Sequence, residues 1–160
     1  MEAIIASAIA VLGTLLGSGV TFAFQQRVAD RGHEFTRSEK LRQERLDAYT
    51  AYAGALVNFR RTLVHLWFCT AGVRNGREYG QIEDPAQVAT RSYELRSSAQ
   101  EALFRLQMLT GDEALSARAQ ALFADIEVVH KTRSREEFEI RRDRTREGIA
   151  GLVVAAKQRL

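Results

Sequence analysis

The hydrophobic pattern begins with one long apolar stretch at the start of the chain. Residues 3–24 contain no charged side chain over 22 positions. As an α-helix this stretch would extend about 33 Å, which matches a bilayer hydrocarbon core of about 30 Å. Its hydroxyl side chains can return hydrogen bonds to backbone carbonyls, so they do not prevent insertion. The pattern predicts a single transmembrane helix, with residues 1–24 as a membrane anchor.

Two other interpretations of this stretch are less favoured. A cleaved signal peptide has a positive n-region, a shorter apolar core and an Ala-x-Ala-like cleavage site. This chain instead begins Met1-Glu2, and Thr21-Phe22-Ala23 is a poor match to such a site. A buried central helix of a soluble domain usually has a shorter apolar run. The membrane anchor therefore remains the favoured interpretation.

The basic residues that follow the stretch predict its orientation. The N-terminal side offers only the α-amino group and Glu2, whereas the C-terminal side carries Arg27, Arg31, Arg37, Lys40, Arg42 and Arg45. Lys and Arg within about 20 residues of a membrane helix favour the cytoplasmic side. We therefore predict a single-pass protein of the inner membrane, with its N-terminus outside and its C-terminal domain in the cytoplasm. Arg27, Arg31 and Arg37 would set this orientation.

Small residues recur along one face of the predicted membrane helix. They are Ala3, Ala6, Ala10, Gly13 and Gly17, and steps of three and four keep them together. Gly13 and Gly17 form a GxxxG motif, which allows two helix backbones to approach closely in lipid. We therefore predict a helix–helix contact through Ala6, Ala10, Gly13 and Gly17, and a homo-oligomer. The alternative is that Gly is simply frequent in membrane helices.

After the anchor, charged residues dominate positions 25–45, which predicts a solvated juxtamembrane helical stalk. From residue 46 onward, apolar positions recur at three- and four-residue steps and predict amphipathic helices with one buried face. Arg60 is the exception on the first of these faces. The four predicted stripes are Leu46-Tyr49-Ala53-Leu56-Leu63-Trp67, Val88-Leu95-Ala99-Leu103-Leu106-Leu109, Leu115-Ala119-Leu122-Ile126-Val129 and Phe138-Thr145-Ile149-Leu152-Ala156-Leu160.

The first two of these helices are separated by a predicted loop. Residues 72–84 contain three glycines and an Asn-Gly pair. The segment is long for a connection within a bundle, so it is a candidate for a contact. Asp84 is a favoured N-cap, and Pro85 suits the first position of the next helix.

Further breaks predict that the chain folds back on itself. Gly111 suits the left-handed position that ends a helix, and Asp112 can cap the next one. Ser134 and Glu137 match a capping box. Short links favour antiparallel neighbours. The predicted fold is all-α: a transmembrane helix continuous with a long helix, followed by an antiparallel bundle of about four helices over residues 46–160. A strict coiled coil is the alternative, and these breaks disfavour it.

Charge and composition add few candidates for chemistry. The 23 Lys and Arg are interleaved with 20 Asp and Glu, which is typical of solvated helix faces and argues against nucleic-acid binding. The three histidines lie in separate elements, and the chain has no HExxH, Glu-x-x-His or phosphate-loop motif. The lone Cys69 is interpreted as a buried apolar residue, with an intermolecular disulfide or lipidation as alternatives. We therefore predict no enzyme, no cofactor and no metal.

Two segments carry a resemblance to a class of proteins. These are RQERLDAYTAYAGAL at residues 42–56 and LQMLTGDEALSARAQALF at residues 106–123. The chain resembles the small, uncharacterised single-pass membrane proteins of Streptomyces and related actinobacteria. The resemblance covers most of the chain, but its motifs are architectural. It implies an N-terminal transmembrane helix with a cytoplasmic helical bundle, and no activity.

The sequence thus leads to two functional hypotheses. The first is a membrane-anchored helical interaction or scaffold module, which is expected to self-associate in the lipid bilayer and to bind a protein partner. The second is a membrane-active effector of the holin-like or phage-exclusion type, in which oligomerised N-terminal helices perturb the bilayer. Gly13 and Gly17 would be essential to the second.

Overall fold

The computed structural model describes the backbone of residues 2–74 and 83–160, and the side chains of residues 35–71 and 83–160. Within these residues the protein is all-α, which confirms the predicted fold class. The elements are α1 (Glu2–Arg74), α2 (Pro85–Leu109), α3 (Glu113–Glu127), a 3₁₀ turn (Val129–Lys131) and α4 (Arg135–Lys157). The chain divides into two compact units, Met1–Arg42 and Gln43–Leu160.

The predicted transmembrane segment, residues 3–24, lies outside the residues whose side chains are described. Among the described residues, no helix contains a stretch long and apolar enough to cross a bilayer. In the first unit, the described residues form an exposed part of α1. There the Ser38 hydroxyl donates to the Phe35 carbonyl at 2.8 Å, and Arg42 lies 3.9 Å from Glu39.

Local side-chain caps explain where three helices begin. Asp84 accepts a hydrogen bond from the Ala86 amide at 3.0 Å, and Asp112 accepts one from the Leu115 amide at 2.9 Å. The Ser134 hydroxyl accepts a hydrogen bond from a first-turn amide at 3.1 Å. Each cap pairs an amide that has no partner within its helix. The predicted caps at Asp84, Asp112 and Ser134 are confirmed.

The predicted left-handed helix end at Gly111 is wrong. α2 ends at Leu109, and the capping residue is Thr110 in an extended conformation (φ −88°, ψ 133°). The Thr110 amide still donates to the Leu106 carbonyl at 2.9 Å, which closes the last turn. Gly111 is outside the left-handed region. The chain therefore leaves α2 through ordinary extended backbone, and a glycine is not required there.

The second unit is a four-helix bundle around one continuous core. The predicted stripes supply most of that core, and Tyr52, Phe59 and Leu66 add large side chains from α1. A smaller cluster joins Trp67 to Phe138, whose rings stack at 3.9 Å between centroids. Burial of these faces is what holds the helices together, because most of the stability of a helix in a protein comes from packing of its apolar face.

Hydrogen bonds between distant residues show the direction of the helices. At one end of the bundle, the Arg45 guanidinium donates to the Leu109 carbonyl at 2.9 Å, and Arg159 pairs with Asp112. At the other end, the Trp67 indole donates to the Thr132 carbonyl at 3.1 Å. The start of the bundle segment of α1, the end of α2, the start of α3 and the end of α4 therefore share one end. The four helices run alternately up and down.

Candidate functional site

Seven residues were predicted to form the membrane-helix contact or to set the orientation, and six of them lie outside the described side chains. Only Arg37 of this set is described, and it is exposed. The membrane contact face and the other two orientation-setting residues therefore stay predictions: Ala6, Ala10, Gly13, Gly17, Arg27 and Arg31. The bundle itself offers four other places to examine.

The first is a polar contact between α1 and α4 in the middle of the bundle. The Arg60 guanidinium donates to the Thr145 hydroxyl at 3.0 Å and to the Arg142 carbonyl at 2.6 Å. Thr145 is fully buried. Burial lowers the pKa of Arg60, and the nearby charges of Arg146 and Arg142 lower it further. Every donor and acceptor named here has a partner within the bundle, so the arrangement fixes the register of two helices.

The second place is a polar cluster of His65, Glu83 and Arg91. It lies at the end of the bundle where α1 ends and α2 begins. Both oxygens of Glu83 are engaged: one lies 2.9 Å from the His65 ring nitrogen, and the other accepts from Arg91 at 2.9 Å. These contacts lower the pKa of Glu83, with the His65 hydrogen bond as the largest cause. The cluster ties the start of α2 to α1. Among the described residues, no group of three His, Cys, Asp or Glu side chains could hold a metal ion.

Cys69 lies beside this cluster. Its sulfur is 3.5 Å from the His65 ring nitrogen, and the residue is buried, as the sequence predicted. Burial raises the pKa of the Cys69 thiol, and the charge of Glu83 acts in the same direction. A thiol that keeps its proton is a poor nucleophile. The pairing of cysteine with histidine therefore does not amount to an activated thiolate.

The third place is the outer face of α2. Tyr93, Phe104 and Met108 project from it with 69%, 52% and 79% of their surfaces exposed. Their spacing places them on one side of the helix. Aromatic residues and Met are enriched at protein–protein interfaces. We call these three residues the α2 ridge. The ridge lies outside the buried stripe of α2, so the periodicity of the core positions does not predict it.

The fourth place is an apolar groove. It lies at the end of the bundle where Arg45 contacts the Leu109 carbonyl and Arg159 pairs with Asp112. It lies between α1 and α4, with Leu106 of α2 in its floor, and has a volume of about 490 Å³. Leu46 and Leu160, both predicted to be core residues, are instead 38% and 37% exposed on its rim. That prediction is wrong at these two positions because no other described helix of the second unit covers the groove. We call this feature the terminal groove.

Comparison with known proteins identifies one family. A family model described as KilB plasmid transfer protein matches residues 46–160. No curated protein and no solved structure matches the chain. The matched residues contain the Arg60 contact, the Glu83 cluster, the α2 ridge and the terminal groove.

Proposed function

Because the chain belongs to the KilB plasmid transfer protein family, we propose that it acts in plasmid transfer as a membrane-anchored helical interaction module that self-associates. The proposal includes no enzymatic step. The match to residues 46–160 supports the part of the proposal that concerns plasmid transfer, because it covers nearly all of the bundle. The actinobacterial membrane-protein resemblance remains a prediction beside it.

The observation that carries the interaction role is the α2 ridge. Exposure of three large apolar side chains on one helix face to water is unfavourable, and covering them with a partner lowers the free energy. The partner we propose is a second copy of the chain, which every anchored copy would meet in the same membrane. Glu101 is exposed on the same side of α2, so the ridge has a polar neighbour, as interface rims do.

A mating assay tests the role in transfer. Donor cells carry a plasmid that encodes the wild-type protein, a Phe104→Ser, Met108→Ser variant, or no protein. The matched control is Ile140→Ser, which removes an exposed apolar residue from α4. We expect the ridge variant to transfer plasmid as poorly as the deletion at equal protein level, and the control to transfer normally. Normal transfer by the deletion strain would refute the role in transfer.

The same variants test self-association. Two differently tagged full-length copies are expressed together and purified from native membranes in mild detergent. We expect recovery of the second tag from wild type and from Ile140→Ser, and loss of recovery from the ridge variant. A Gly13→Ile, Gly17→Ile variant measures how much of the association depends on the predicted membrane helix. Unchanged recovery from both variants would contradict the proposed contacts.

The anchor and its direction have their own test. Protease added to intact spheroplasts is expected to leave the bundle uncut, and to digest it once the membrane is broken. Digestion in intact spheroplasts would place the bundle outside. Following membrane potential during induced expression addresses the membrane-active alternative, since rapid depolarisation that depends on Gly13 and Gly17 would favour an effector over an interaction module.

A further inference from the structure

The terminal groove has the shape of a small-molecule site. Its floor is formed by buried side chains, including Tyr49, Leu106 and Leu152, while Leu46 and Val153 stand half-exposed at its rim. The volume of about 490 Å³ falls within the range of about 300–1,000 Å³ that is usual for ligand pockets. The groove lies wholly within the second unit, so its walls belong to one packed body.

The chemistry of the wall restricts what can bind. Almost all of the wall is carbon. Thr50 also lines the groove, but its hydroxyl already donates to the Leu46 carbonyl at 2.9 Å and the Asp47 carbonyl at 3.1 Å. A sugar, nucleotide or peptide backbone would therefore lose hydrogen bonds to water without replacing them. A hydrocarbon chain has no such loss, and it gains by leaving water.

One basic residue, Lys157, lines the groove, and it does so with the hydrocarbon part of its side chain because almost none of the wall is polar. Lys157 lies in the last turn of α4 and has no ion-pair partner among the residues that the structure describes. An ammonium group beside a carbon-walled recess is complementary to a molecule with an apolar tail and a single negative head. The part of α1 that lines the recess runs from Leu46 to Ala53, about 10 Å of helix. A slender chain fits this length better than a partner helix with several turns.

We propose that the terminal groove binds the hydrocarbon chain of a free fatty acid, with the carboxylate at Lys157. Tail burial would supply most of the affinity, and Lys157 would select for a negative head. This ligand site is additional to the proposed role in plasmid transfer and does not depend on it.

The dependence on chain length provides the sharpest test. Full-length protein in nanodiscs of a zwitterionic lipid is labelled with a fatty acid that carries a photoreactive diazirine, and the labelled peptides are mapped by mass spectrometry. We expect labelling at the peptides that contain Leu46 and Leu160. Octanoate, decanoate and laurate should compete with affinities that rise by up to about fourfold per methylene. Competition that does not vary with chain length would overturn the proposal.

Two variants test the site itself. Ala53→Trp places a large ring in the groove and should reduce labelling to background. Ala51→Trp, on the exposed side of the same helix, is the matched control and should label normally. Circular dichroism confirms that both variants keep their helices. Equal labelling of the two variants, or labels that map outside the groove, would refute the site.

The head group is tested at Lys157. Lys157→Met should weaken competition by laurate about two- to fivefold, the effect expected for an exposed ion pair, and leave competition by dodecanol unchanged. Lys131→Met controls for loss of an exposed lysine elsewhere. If Lys157→Met weakened competition by laurate and by dodecanol equally, that result would overturn the role of Lys157. Two further results would reject the free fatty acid as occupant: preferential labelling by a diazirine-bearing phospholipid, or crosslinks from the groove to a second copy.

Discussion

Tyr52 gives the most direct test of how the bundle is packed. Its side chain is fully buried on α1, and its hydroxyl donates to the Ala119 carbonyl of α3 at 2.9 Å. Burial raises the pKa of the Tyr52 phenol above its ordinary value, because the low-dielectric interior disfavours the phenolate. In Tyr52→Phe the ring remains and only the hydroxyl is lost. At pH 8 we expect the variant to be less stable by about 1 kcal/mol, the net value of one hydrogen bond.

At high pH the stability difference between Tyr52→Phe and wild type is expected to change sign. The unfolded protein releases the Tyr52 proton with a pKa of about 10, whereas the folded protein retains it. Above pH 10 the folded state therefore binds more protons, and wild type loses about 1.4 kcal/mol of stability per pH unit from this residue. By pH 11 the accumulated loss is about 1.4 kcal/mol, which equals or exceeds the value of the hydrogen bond. The variant lacks this loss.

The assay is urea unfolding of the full chain in mild detergent at pH 8 and pH 11, followed by fluorescence of the single tryptophan, Trp67. We expect Tyr52→Phe to be less stable than wild type at pH 8 and at least as stable at pH 11. Other groups that titrate, including Cys69, are common to both proteins and cancel in the comparison. A stability difference that is the same at both pH values would refute the reasoning about the buried phenol.

Three further substitutions probe other contacts. Phe138→Ala removes a buried ring stacked on Trp67, so we expect a loss of about 3–5 kcal/mol and a red shift of tryptophan emission; an unshifted spectrum would contradict the stack. Ser134→Ala removes the cap of α4, and thermal unfolding should show a loss of about 1 kcal/mol. Arg60→Met removes the hydrogen bonds to Thr145 and a backbone carbonyl, and urea unfolding should show a loss of about 1–3 kcal/mol. If Ser134→Ala or Arg60→Met were as stable as wild type, that result would show that water replaces the hydrogen bonds lost in that variant.

The helical pattern of the sequence was sufficient to predict the bundle. A buried stripe follows from periodicity alone, and the caps at Asp84, Asp112 and Ser134 follow from local chemistry. Both depend on residues within a few positions of one another. The error at Gly111 has a local origin too, since an extended Thr110 can end a helix as well as a left-handed glycine can.

Contacts between helices and the exposed features of the bundle could be predicted less well from the sequence. Arg60 stood out only as an exception on an apolar face, because its partner Thr145 is 85 positions away. Leu46 and Leu160 continue their stripes in register, yet periodicity does not show that the bundle leaves that end of the core uncovered. The α2 ridge lies outside the buried stripe altogether. Such features depend on which helices are neighbours, and the pattern along one helix does not contain that information.

The alternating path of the helices also determines how the bundle would respond to force. Because the bundle segment of α1 starts at the same end at which α4 finishes, tension applied between these two points would separate the helices like a zipper. Contacts at the terminal groove would break first, and the Arg60 contact would follow. Helices pulled in shear must instead break many contacts at once. Forced unfolding is governed by the unfolding rate. Because contacts along this axis break one after another, we expect the bundle to open at low tension.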